Sequence, residues 1–345
     1  MAGTAMNPFG FAYSSLEGVD AFAKPGAVIL TGRGNRDDLR FQDARKKGAE
    51  LWAYWGLIEC YDTLKDPQEQ WQYQLADGSH PPLWPYKDAN GNPRSNWAGT
   101  HLLDIRPGSA WLKHIVPKTG ELIDKRLHDG LLLDVQGARL WSKLADWLSW
   151  PVEEQTLWVN SMVNLSREIA EVCAGRVKIV HNNLWANVLP KTHPAYAIAP
   201  LGEQYCNGVM LENPSGELPS EFHKAYAART FGLLPRRVPV VDRTDAEAVA
   251  WSKVPGVTHV CSVEKAVGET YAKITPPVVP YDGVPVEEIT AENLELRARV
   301  AEVTAENTTL CAQLDECNAH LVEAEAEVSR LATKINRIDA EVHAT

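Results

Sequence analysis

The chain has 345 residues, is 45% hydrophobic and 23% charged, and carries a formal net charge of −11. That length fits one large domain or two ordinary ones, with ample chain for a buried core. With an acidic balance, no apolar run of about 18–20 residues and unremarkable glycine and proline, a nucleic-acid binder, a membrane-spanning protein and a collagen-like or disordered chain are all excluded as first readings.

The N-terminus, MAGTAMNPFGFAYSS, has no basic stretch followed by an apolar one, so no secretory leader is expected. Short apolar runs then alternate with helical stretches. Strands are predicted at 9–13, 27–31, 51–55, 130–134, 177–181, 208–212, 239–242 and 258–263. The clearest helices are predicted at 37–47, 110–127, 153–173, 220–231 and 245–253. Eight strand–helix repeats in roughly 250 residues predict a parallel sheet closed as a (β/α)8 TIM barrel over residues 1–280. An open doubly wound sheet is the alternative, but no GxGxxG follows any strand, and the TGRGN at 31–35 lacks the third glycine.

In such barrels chemistry sits at the C-terminal ends of the strands. Two predicted strands, DGLLLD and GVMLEN, end an apolar run in a carboxylate, Asp134 and Glu212. Two carboxylates at one barrel mouth are what glycoside hydrolysis requires: one protonates the leaving oxygen and the other attacks or activates water. Taken singly, either acid reads equally as an ion pair or a helix cap. Tyr13, Trp55, Trp141, Asn182 and Asp242 lie at or near other strand ends and are expected to line a substrate groove. The segment from Tyr61 to Asp104 is long for a strand–helix connection and holds Trp71, Trp84 and Trp97; such loops are usually functional, and Trp97 joins the expected substrate-binding set.

No metal or cofactor is expected. The histidines are dispersed without HExxH, and His181 beside Asn182 reads as a hydrogen-bonded residue lining the site. The six cysteines form no CxxC pair, against both a zinc site and a disulfide framework.

From residue 287 the chain changes character. It has 13 Asp/Glu against 5 Lys/Arg, a net −8, and no Gly, Pro or aromatic residue, which leaves −3 for the first 286 residues and all 12 tryptophans with them. After a linker at 281–288, heptads run unbroken through 289–345. Ile289, Leu296, Val303, Leu310, Cys317, Ala324, Leu331 and Ile338 take the d positions; Asn293, Val300, Asn307, Leu314, Leu321, Val328, Ile335 and Val342 take the a positions. This pattern predicts a parallel coiled coil through which the chain self-associates over 289–342, as a dimer or a trimer, with Asn293 and Asn307 setting register.

The stretch from Leu75 to Asp134 carries a resemblance. A DG turn, Trp97, HLLDIRPGSAWLKHIV and then DGLLLD, followed later by CNGVMLEN, look like the barrel glycosidases of glycoside hydrolase family 114, the endo-α-1,4-polygalactosaminidase-like group. The resemblance covers roughly residues 8–270. It implies a (β/α)8 fold, sugar-chain cleavage and Asp134 with Glu212 as the catalytic pair. Val135, Gln136 and Gly137 stand where that group usually carries a further acid. The pairing of such a barrel with an acidic heptad stalk also resembles minor tail proteins of phages infecting actinobacteria. That resemblance implies a trimer in the virion tail, made in the host cytoplasm, with a host envelope polysaccharide and other tail proteins as partners, and no nucleic acid or membrane insertion. The missing acid after Asp134 and the aromatic-rich loop point to the alternative, a saccharide-binding or structural tail protein with an inactive barrel.

Overall fold

A computed structural model describes residues 7–273, apart from 13–18, 20–22, 24, 32–38, 62–70, 75–83, 125–127, 143–144, 215–219, 234 and 268–269. The chain divides into two units, Met1–Tyr281 and Asp282–Thr345. The heptad segment 289–345 and Tyr13 lie outside the described residues.

The first unit is a mixed α/β structure. In chain order its strands are β1 (Asn7–Ala12), β2 (Val28–Thr31), β3 (Glu50–Gly56), β4 (Glu59–Tyr61), β5 (Thr100–Leu102), β6 (Gly130–Asp134), β7 (Lys178–Asn182), β8 (Gly208–Val209), β9 (Leu211–Glu212), β10 (Pro239–Asp242), β11 (His259–Val267) and β12 (Thr270–Lys273). Its helices are α1 (Leu39–Lys46), α2 (Ala110–Asp124), α3 (Val152–Cys173), α4 (Ser220–Ala227) and α5 (Asp245–Trp251). All eight predicted strands have a counterpart. β4 and β5, at the two ends of the predicted long loop, form an additional antiparallel pair, and β12 folds back antiparallel on β11.

The main sheet has the order β8-β7-β6-β3-β2-β1-β12-β11-β10-β9, with β1 also paired in parallel to β11. Its two ends, β8 and β9, are consecutive in the chain and separated only by Met210. Residues 207–213 are bonded on both flanks. Towards β7, Asn207 N donates to Ile179 O (2.7 Å) and Met210 N to His181 O (2.8 Å). Towards β10, Asn213 N donates to Val241 O (2.7 Å) and Arg237 N to Asn207 O (2.7 Å).

Two faces of the sheet bury different clusters. Val28, Leu30, Trp52, Tyr54, Leu132, Val180, Met210, Val241 and Cys261 form one cluster drawn from β2, β3, β6, β7, β10, β11 and the β8–β9 link. The alternate residues, such as Leu131, Leu133, Ile179, Val209, Val240 and Val260, join the larger cluster shared with the helices. Burial of both faces explains why these strands read as continuous apolar runs without alternation. The helices start where local chemistry favours them: Thr244 and Glu247 form a capping box at α5, and Ser109 Oγ accepts from Leu112 N at α2.

The N-terminal ends of the strands are locked by ions. Glu50 meets Lys178, Arg237 (3.4 Å) and the Trp52 indole N–H (3.1 Å). Burial pushes the Glu50 carboxyl up, but the two cations and these hydrogen bonds outweigh it and hold the group below its usual range.

Gly208 has no room for a side chain, because an added Cβ would lie 1.5 Å from Arg237 O. Gly208→Ala should therefore lower unfolding stability by about 3 kcal/mol by prising 207–213 from the start of β10, read as the midpoint of denaturant unfolding. His181 and His259 are buried and each is pushed down to about 3 by that burial, with the Arg237 cation adding to it at His259. The unfolded chain then binds more protons than the folded one below the ordinary histidine range. Stability should fall as pH drops from about 6.5 towards 3, and the fall should be shallower in His181→Gln; a denaturant-midpoint series across that window checks the slope.

Candidate functional site

The alternation that buries Leu132, Val180 and Met210 on the inner face puts the residues two further on, Asp134, Asn182 and Glu212, on the same face at the strand ends. Asp134 and Asn182 are direct partners in the β6–β7 register. The side chains meet. Asn182 Nδ2 donates to Asp134 Oδ1 at 2.7 Å and to Glu212 Oε2 at 2.8 Å. With one nitrogen bonded to both, the two carboxylate oxygens can be at most the sum of those bonds, 5.5 Å, apart.

Further donors converge on Asp134. The Tyr54 hydroxyl bonds to Oδ2, and Val135 N donates to Oδ1 at 3.0 Å. Tyr54 belongs to the same inner cluster, and its register partner in β6 is Leu132. Glu212 is exposed, whereas Asp134 and Asn182 are partly buried and Tyr54 is buried. The site is therefore a half-open polar cluster on a buried apolar floor.

The backbone turns sharply after each acid. Val135 has φ 56° and Asn213 φ 47°. Asparagine tolerates this left-handed region; a β-branched valine does not, and such a residue stores about 1–3 kcal/mol. Gln136 holds the strained turn from behind, fully buried and donating to Ser166 Oγ at 2.7 Å.

The other expected residues divide. Trp141 lies beside the cluster: its indole N–H bonds to Asn183 Oδ1, one residue along from Asn182. Trp55 does not face the site. It is fully buried on the opposite face, with its indole N–H on Thr119 Oγ1 of α2 (2.9 Å). Asp242 is sealed from solvent, with Oδ1 accepting from Arg243 N (2.8 Å). His181 likewise faces away from the site and accepts the Trp185 indole N–H at Nδ1 (2.9 Å). In each case the neighbour in sequence, not the expected residue, has the inward parity.

Trp71 and Trp84 pack on the core rather than lining a groove, with Trp84 6.0 Å from Trp111 and Trp71 5.9 Å from Trp55, ring centre to ring centre. Trp97 is 51% exposed, and no described contact ties it to the carboxylates. Among the described residues no group of three or more metal-ligating side chains gathers. No helix there is long and apolar enough to cross a membrane.

Tyr54 is the residue of this cluster that sequence reasoning missed. In LWAYWG every residue from Leu51 to Trp55 is buried, so neither face is marked by polarity and the strand-end rule selects Trp55.

No family model matches the chain, and no curated protein matches it. Solved structures do. The glycoside hydrolase domain of PelA from Pseudomonas aeruginosa is 15% identical, over 81% of this chain and 98% of that one, with a TM-score of 0.48. A noncanonic maltogenic α-amylase from Thermotoga neapolitana is 10% identical over 81% and 73%, with a TM-score of 0.40. An α-galactosidase from Thermus thermophilus is 13% identical over 74% and 47%, with a TM-score of 0.37. At these values no activity, substrate or subsite carries over from any of them.

Asn182→Asp should put a third carboxylate against the other two. Like-charge repulsion should then lower stability by about 1 kcal/mol or more at low salt, with partial recovery as added salt screens the charges. Asn182→Ala should show no such recovery. Denaturant midpoints of both variants at low and high salt test the crowding of charge.

Proposed function

We propose that the first unit closes as a (β/α)8 barrel and hydrolyses a glycosidic bond with retention of configuration, using Asp134 and Glu212. Closure is supported by residues 207–213, which pair with β7 on one side and β10 on the other. The carboxylate spacing carries the chemical reading. Bonded oxygens no more than 5.5 Å apart fall short of the about 6.5–9.5 Å of an inverting pair, which must hold a water between its carboxyl groups, and favour the closer pair of retaining enzymes, roughly 5–5.5 Å.

The roles follow from the surroundings. Three donors, from Tyr54, Val135 and Asn182, stabilise negative charge on Asp134. Asp134 is thus the nucleophile, attacking the anomeric carbon as the bond to the leaving oxygen breaks. Glu212, exposed at the rim, gives that oxygen its proton. It then takes a proton from the water that releases the sugar from Asp134. Asn182 holds the two groups at their working distance. The acid missing after Asp134 is not needed for this cycle, since two carboxylates complete it, and Gln136 fills that loop position structurally.

The heptads at 289–345 are proposed to join two or three such heads on one stalk, so that weak saccharide contacts gain avidity. The setting proposed for that assembly is a phage tail acting on host envelope polysaccharide.

Incubating the full chain with envelope polysaccharide should release new reducing ends. Glu212→Gln and Asp134→Asn should each cut that rate by about 10²-fold or more, and the first-formed product should keep the anomeric configuration of the substrate by NMR. Equal release by wild type and Glu212→Gln would sink the assignment, and an inverted first product would rule out the nucleophile role of Asp134.

A further inference from the structure

Five residues beyond Asp134, Arg139 has no protein counter-ion among the described residues. Its guanidinium makes no hydrogen bond or ion pair among the described residues, and its Nε is buried without an acceptor. Four other partly buried arginines each meet an acid. Arg94 meets Glu154, Arg106 meets Asp104, Arg229 meets Glu203 and Arg237 meets Glu50. Burial alone acts on Arg139 and pulls its proton affinity down, with no carboxylate pulling it back. A half-buried cation without an anion is a cost that a ligand can relieve.

The geometry around Arg139 is built rather than incidental. Its guanidinium carbon sits 4.2 Å from the centre of the Trp141 ring. Stacking on one face leaves the in-plane fork of N–H groups available for a planar anion. The loop that carries both residues is pinned to the strand end beside the carboxylates. Ala138 N donates to Leu184 O (2.9 Å), Asn183 Nδ2 donates to Arg139 O (2.6 Å), and the Trp141 indole N–H bonds to Asn183 Oδ1. Gly137 permits the approach, since a Cβ there would come within 2.5 Å of Asn183 Cβ. Asn183 is the chain neighbour of Asn182, so the unpaired guanidinium and the stacking ring sit one residue along from the amide that bridges Asp134 and Glu212. Residues 135–142 contain no acid to repel an anionic ligand.

We infer that Arg139 and Trp141 form a subsite for the carboxylate of an acidic sugar, so that the saccharide cleaved by Asp134 and Glu212 carries hexuronic acid units. This rests on the glycosidase reading of the carboxylate pair. The carboxylate takes the guanidinium fork edge-on while Trp141 offers an apolar surface to the sugar ring.

The test uses the full chain with Glu212→Gln, so that binding is read without turnover. Three oligosaccharides are titrated by calorimetry: one with hexuronic acid units, the same one with its carboxyl groups reduced to alcohols, and one bearing phosphate. The uronate should bind about tenfold tighter than its reduced form, the scale of one lost charge-assisted pair. Adding Arg139→Gln should bring that ratio to about one, and Arg139→Lys should restore only part of it, because an ammonium lacks the planar fork. Equal binding of the acidic and reduced forms overturns the subsite, and reducing-end release by the wild-type chain from the reduced form would then leave the glycosidase reading standing. Tighter binding of the phosphate-bearing glycan than of the uronate overturns the carboxylate assignment. Preferential uronate binding without cleavage by the wild-type chain keeps the subsite and removes the hydrolytic reading. Binding to none of the three overturns the subsite.

Discussion

Residues 207–213 are hydrogen-bonded along both edges, and the placement of the site depends on that constraint. One short run of chain satisfies Ile179 and His181 of β7 on one side and is held by Arg237 and Val241 on the other. A strand bonded on one edge only could slide or twist; one bonded on both has its register set twice. Register decides which side chains point inward. It sets Met210 on the floor with Val180 and Leu132, and Glu212 above them within reach of Asn182. Gly208 is the steric condition for this arrangement, since any Cβ there would strike the backbone of Arg237.

The two ends of the strands handle charge in opposite ways. At the N-terminal ends Glu50 is neutralised by Lys178 and Arg237, an arrangement that serves the fold. At the C-terminal ends two carboxylates are gathered on a single neutral amide, an arrangement that costs stability because like charges crowd. The left-handed Val135 directly after Asp134 adds strain at the same place. Buried packing behind the loop, through Gln136 and Ser166 on α3, over-determines the turn and keeps it there. Concentrated repulsion and backbone strain at one open edge are what the proposed site rests on, since neither serves folding.

Tryptophan does two jobs in this molecule, and composition alone does not separate them. Trp55, Trp111 and Trp158 are fully buried and join the core that couples the sheet to α2 and α3. Trp141 instead is partly buried, stacked on an arginine and tied to Asn183 beside the carboxylates. The difference lies in which face of which segment each one occupies, which follows from packing and not from residue type.

The sequence by itself determined the α/β class, the eight strand segments and the two acids that end DGLLLD and GVMLEN, because a strand that turns from apolar to carboxylate is a local signal. The break in composition at residue 287 is equally local, and so are the heptads after it, which lie outside the described residues. Tertiary structure alone decided parity. In strands buried on both faces, neighbouring residues look alike to a reader of sequence, so Trp55, His181 and Asp242 were expected in the site while Tyr54 was not. Only the sheet register shows that Tyr54, Asp134, Asn182 and Glu212 share the inward face, and that one amide nitrogen reaches both acids. That Arg139 meets no carboxylate among the described residues is of the same kind, since a missing partner is a property of surroundings assembled from segments far apart in the chain.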